Sequence, residues 1–238
     1  MGPSLARRRF LTGCLCCAGA GLAASTGIGI ACASEGAKTT LTPDQALDLL
    51  RRGNDEFKVD LPFHAVMGRQ RRVEISQGQT PFAVLVACSD SRVAPELLFG
   101  RGLGELFIVR NAGNTVDTAA MGSIEYAVAV VGVPLIMVLG HERCGAVEAA
   151  VKVVKENATY PGSIGQMIEP IVPAVLSVQG RDGDLVDNAV RANISRTVAR
   201  LRTASSPLLQ KPIAEGRLRV VGARYDLDDG DVDFFDLA

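Results

Sequence analysis

Cys88-Ser89-Asp90-Ser91-Arg92 and, farther along, Gly140-His141-Glu142-Arg143-Cys144-Gly145 are the two stretches whose residue types could do chemistry together. Cys88, His141 and Cys144 offer two thiolates and an imidazole, the donors that zinc prefers, and Asp90 stands close enough to Cys88 to supply a fourth ligand. The reading is of a zinc (Zn2+) site built to do chemistry.

Scarcity narrows the ligand choice. The chain has 6 cysteines and 2 histidines, and Cys14, Cys16, Cys17 and Cys32 all precede residue 34. Only Cys88 and Cys144 remain downstream, with His64 and His141. His64 has no cysteine or carboxylate at ligand spacing, so it reads as an ordinary surface or packing histidine. Two alternatives stay open on the residues alone. Four protein ligands can staple a fold without catalysing anything, although such a site gains nothing from the displaceable carboxylate that Asp90 beside Arg92 suggests. Cys88 and Cys144 could also form a disulfide in an exported, noncatalytic binding protein.

The elements that must position these residues are legible as apolar runs. Pro81 to Ala87, Leu106 to Arg110 and Val133 to Leu139 are short and continuously apolar, as strands buried on both faces are. Leu218 to Tyr225 reads as a last strand, followed by an acidic turn and a short apolar tail. Helical stretches alternate with the strands, at 119–131, 146–154 and 184–201, and Ile164 to Val175 predicts a helix divided by Pro170 and Pro173. The alternation predicts an α/β fold with a mostly parallel sheet flanked by helices. In such sheets ligands bind beyond the carboxyl ends of the strands, where Cys88 and His141 each follow a strand. Thr42-Pro43-Asp44-Gln45 predicts a capped helix start. Leu47, Leu50, Asn54 and Phe57 then give that helix one face seeking cover, in its own domain or on a second subunit.

Residues 1–33 read differently. Arg7-Arg8-Arg9-Phe10-Leu11, an apolar Gly/Ala-rich run and the ending Ala31-Cys32-Ala33 predict an export signal of the twin-arginine type, cleaved near Ala33 into the periplasm. An uncleaved membrane anchor is the alternative. Residues 34–238 then form a single domain, whose membrane contact is through the signal alone. The formal net charge is −1, and no basic cluster is interleaved with aromatics, so nucleic acid is not an expected partner.

Cys88-Ser-Asp90-Ser-Arg92-Val, Arg110-Asn111-Ala-Gly-Asn114, Gly140-His141-x-x-Cys144-Gly145-Ala and the late Val-Gly-Ala-x-Tyr225 together resemble the β-class carbonic anhydrases. The resemblance implies a parallel sheet with one further antiparallel edge strand, assembled as a homodimer or homotetramer. It implies Cys88, His141 and Cys144 as permanent zinc ligands and reversible hydration of CO2 to bicarbonate as the reaction. Asp90 is then either a fourth ligand or, paired with Arg92, a catalytic acceptor beside an open position. Gln79 and Gly145 match positions near the substrate, and Tyr126 can approach the cleft. Relatives with nearly the same ligands hydrolyse carbonyl sulfide or carbon disulfide, linear molecules like CO2. Some allosteric members carry a Trp three residues before the first zinc cysteine. Leu85 stands there instead, which argues against the family's noncatalytic bicarbonate site although Arg110 and Tyr225 stand at matching places.

Overall fold

A computed structural model describes residues 37–62 and 65–237, which lie within one compact unit, Cys32–Ala238. The export-signal reading and His64 fall outside the described residues.

Helix α1 (Pro43–Lys58) opens with the anticipated capping box: the Thr42 hydroxyl accepts from the Gln45 amide and the Gln45 side chain accepts from the Thr42 amide. A short exposed helix, α2 (Arg69–Ile75), precedes β1 (Ala83–Cys88). The chain continues through α3 (Pro95–Leu98), β2 (Leu106–Asn111), α4 (Thr118–Tyr126), β3 (Leu135–His141) and α5 (Gly145–Glu156). Then follow α6 (Ser163–Ile168), α7 (Val172–Ser177), α8 (Leu185–Arg202), α9 (Pro207–Ala214), β4 (Arg219–Tyr225) and β5 (Val232–Asp236). A 3-10 turn at Glu169–Ile171 separates α6 from α7, so the two prolines divide that helix as expected. The helix expected over 119–131 is α4 closed by a π turn at Ala127–Val131.

The sheet order is β2-β1-β3-β4-β5; the first four strands are parallel and β5 runs antiparallel at the edge. Every residue of β1 and β3 is buried, as the continuous apolar runs require. Strand alternation sorts them between two layers. Val84, Val86 and Cys88 face the layer that includes α4, α5, α7 and α8, whereas Leu85 and Ala87 face α1 and α3. Cys144 belongs to the same layer as Cys88.

The cover for α1 comes from its own chain. Leu47 and Leu50 pack with Leu85, Leu98, Phe99 and Met137, and buried Asn54 donates to the Gly230 carbonyl at 2.8 Å and accepts from the Val232 amide at 2.9 Å. Asn54 thereby fastens the entry to β5.

Candidate metal centre

Strands β1 and β3 are hydrogen-bonded neighbours with Ala87 opposite Leu139, so Cys88 and His141 leave the sheet at the same carboxyl edge. A tight turn, with Arg143 at φ +48°, returns the chain to Cys144, the N-cap of α5. The three donor atoms of Cys88, His141 and Cys144 lie within 4.8 Å of one another, and all three residues are buried. The two sulfurs are 4.0 Å apart. Two thiolates on one tetrahedral zinc, each bonded at about 2.3 Å, stand roughly 3.8 Å apart. A disulfide requires about 2.05 Å between sulfurs. Both thiols are free, which rejects the disulfide-linked alternative.

The imidazole gives an independent test of the fit. His141 Nδ1 lies 2.9 Å from the Glu142 carbonyl oxygen, so Nδ1–H donates there and Nε2 carries the lone pair. Nε2 is buried with no hydrogen-bond partner. An orphaned buried acceptor costs about 1–3 kcal/mol, which a metal ion at this position removes.

Electrostatics around the sulfurs follow from their pairing. The hydrogen bond shared with Cys144 is the main influence holding the Cys88 thiol below the ordinary thiol range, and the Gly113 amide at 3.3 Å adds to it. The same pairing, with burial, pushes Cys144 well above the ordinary thiol range. One thiolate thus forms readily and the second needs a cation to replace its proton.

Asp90 is turned to Arg92. Arg92 Nε donates to Oδ1 at 3.0 Å, Nη2 donates to Oδ2 at 2.8 Å, and the Arg92 amide adds a bond to Oδ1 at 2.9 Å. The guanidinium holds the Asp90 carboxyl well below the usual carboxylate range. Of the two arrangements left open by the sequence, the structure has the arginine-paired one, and Asp90 is not among the three clustered donors. Its Oδ2 nevertheless lies 3.9 Å from His141 Nε2, at the edge of the metal position.

A family model described as carbonic anhydrase matches residues 83–232. The chain belongs to the β-class carbonic anhydrases. It is 43% identical over 189 residues to carbonic anhydrase 2 of Mycobacterium tuberculosis, covering 79% of this chain and 90% of that protein. To the Mycolicibacterium smegmatis carbonic anhydrase it is 41% identical over 191 residues, covering 80% and 92%. Among solved structures, the Coccomyxa β-carbonic anhydrase in complex with acetazolamide superposes with a TM-score of 0.61 at 27% identity, covering 79% of this chain and 84% of that one.

In this carbonic anhydrase the remaining anticipated residues fall in different places. Gly145 is the first residue of α5, beside Cys144, and a Cβ there would meet open space. Gln79 is exposed and precedes β1, at the amino end of a strand whose carboxyl end holds Cys88. Five strand rises, about 16 Å, separate the ends of β1, so one chain does not bring Gln79 to its own metal ligands. Tyr126 packs on Phe107 with ring centroids 6.4 Å apart.

Arg110 has a positional role that sequence reading did not find. It donates to the carbonyls of Cys88 and Asp90, each at 2.8 Å, and so clamps the loop carrying both. Arg224 was also missed: it reaches Glu142, Asp187 and Asp226 at 3.2, 2.5 and 3.0 Å, bracing the turn after His141. A charged residue inside a buried strand run was the available signal, because its charge must find partners.

Proposed function

We propose that the protein catalyses the reversible hydration of CO2 to bicarbonate and a proton, using zinc held by Cys88, His141 and Cys144. The observation that carries this reading is the convergence of two free thiols and the orphaned His141 Nε2 beside a carboxylate that Arg92 holds aside. A purely structural site would close on its fourth ligand. When bound, zinc supplies a hydroxide nucleophile near neutral pH and polarises what binds beside it.

The chain's own residues do the rest. Asp90 remains ionised, accepts a hydrogen bond from the attacking oxygen and aims its lone pair at the carbon of CO2. Arg92 fixes the carboxylate by two side-chain bonds and is itself anchored on the Arg143 carbonyl at 3.2 Å, which ties the two motif loops together. The Glu142 carbonyl keeps His141 in the tautomer that presents Nε2. Stopped-flow CO2 hydration by the zinc-loaded protein tests the reading. Turnover that vanishes on zinc removal and returns on zinc addition supports it; inertness with one zinc per chain rejects it, and carbonyl sulfide and carbon disulfide become the substrates to try.

The protein acts as a homodimer or homotetramer. Strand β2 is a sheet edge whose residues are only half covered, which supports a partner there, and the relatives from Sordaria macrospora are described as tetrameric. Light scattering on the purified protein tests it, and a monomer refutes it. Residues 1–33 export the domain to the periplasm by the twin-arginine route, supported by Arg7-Arg8-Arg9-Phe10-Leu11 and Ala31-Cys32-Ala33. No helix among the described residues is long and apolar enough to cross a membrane. Fractionation with N-terminal sequencing of the processed chain decides between export and an uncleaved anchor.

A further inference from the structure

Helix α8 carries one feature its packing does not explain. Its buried stripe of Ala189, Val190, Ile194, Val198 and Leu201 also holds Thr197 and, more deeply, the amide of Asn193, which is only 3% exposed. A buried amide in an apolar stripe must be satisfied. Asn193 Nδ2 donates to the Gly113 carbonyl at 2.9 Å, and the Gly113 amide donates to the Cys88 sulfur at 3.3 Å. A helix remote in sequence from the metal motifs thus reaches a zinc-ligating sulfur through one glycine.

The surroundings hold that glycine in place. Gly113 sits at φ +76°, where side chains are strained, and a Cβ there would lie 2.5 Å from Ile171 Cδ1 and 3.2 Å from Ala146 Cβ. Only glycine lets the backbone turn its N–H to the sulfur in so little space. Helix α8 comes close enough because Gly140 and Gly222 leave the sheet bare beneath Ile194, whose side chain lies 2.6 Å and 2.8 Å from where their Cβ atoms would be.

We propose that Asn193 is a positioning residue for the zinc site, fixing Gly113 so that its amide stays on the Cys88 sulfur and limits that thiolate's electron donation to the metal. The inference rests on the zinc reading of the site and adds to it a group that touches neither metal nor substrate. A hydrogen bond to a ligating sulfur draws electron density from it and lowers the energy of its donor orbitals.

Cobalt(II) substituted for zinc reports this directly, because its sulfur-to-metal charge-transfer band follows the energy of those orbitals. In Asn193→Ala the band should move to longer wavelength, because the sulfur released from the Gly113 amide donates more strongly. Asn193→Ser, too short to reach the carbonyl but smaller in its disturbance, should shift the band in the same direction. An unchanged band in either folded variant would overturn the proposal, even if activity declines. Should neither variant accumulate as folded protein by circular dichroism, Asn193 serves the fold and the proposal fails. A wild-type protein that binds neither cobalt nor zinc would instead refute the zinc reading itself.

Discussion

Arg92 grips Asp90 through two side-chain nitrogens, with Nε on Oδ1 at 3.0 Å and Nη2 on Oδ2 at 2.8 Å. This pair decides what the metal position can do. A carboxylate held by a fork of two donors is kept off the metal and stays available as an acceptor beside it.

Replacing Asp90 by Asn should leave zinc content at one per chain and lower kcat by roughly 10²-fold, the scale for removing one positioned hydrogen-bond acceptor from the transition state. Metal analysis alongside stopped-flow hydration checks both halves. Normal turnover in this variant removes Asp90 from the mechanism.

The pair also makes a pH statement. Arg92 lowers the Asp90 pKa in the folded state, so its stabilisation is complete above the unfolded carboxylate's value of about 3.9 and is lost as pH falls through the lower folded value. The stability difference between wild type and Arg92→Ala should therefore be constant from about pH 7 to about pH 5 and shrink below about pH 4. Urea unfolding across that range measures it, and a difference that grows on acidification contradicts the assignment.

Cys88→Ser and His141→Ala should lose zinc and activity together, because each removes one of three converging donors from a buried site. Chelation should produce the same loss reversibly in the wild type. Full zinc occupancy in either variant places the metal elsewhere.

Arg224 is surrounded by Glu142, Asp187 and Asp226 and is largely buried. Arg224→Leu should destabilise the fold by about 3 kcal/mol, since three carboxylates then face one another without their cation. Denaturant unfolding at neutral pH reads this, and a loss below about 0.5 kcal/mol would mean that the network is solvent-screened.

Gly140→Ala should also destabilise, by about 1–3 kcal/mol, because the new methyl overlaps the Ile194 side chain. Combined with Ile194→Ala, the loss should be smaller than the sum of the single losses, since both changes act on one space. Strict additivity would show that α8 does not rest on this glycine.

The local chemistry was legible because it depends on residue type and short spacing. The apolar runs of β1 and β3 announced buried strands, Thr42 and Gln45 a helix start, and Pro170 with Pro173 a divided helix. Strand β5 was read only as a short tail on the residues themselves, because Asp233 and Asp236 interrupt it; their partners Arg191 and Arg202 lie on α8 and bond them at 2.7 Å each. Helix α9 went unseen because Pro212 stands inside it. The sequence by itself determined which three side chains hold the metal, for Cys88, His141 and Cys144 had almost no competitors among 6 cysteines and 2 histidines. Only the tertiary structure decided how those side chains are aimed. Asp90 faces Arg92 because Arg92 is also anchored on a carbonyl 51 residues away, and the Cys88 sulfur receives an amide from 25 residues away that Asn193 holds from a separation of 80. Ligand identity follows from the donor atoms, whereas their orientation follows from hydrogen bonds that exist only once distant segments have packed.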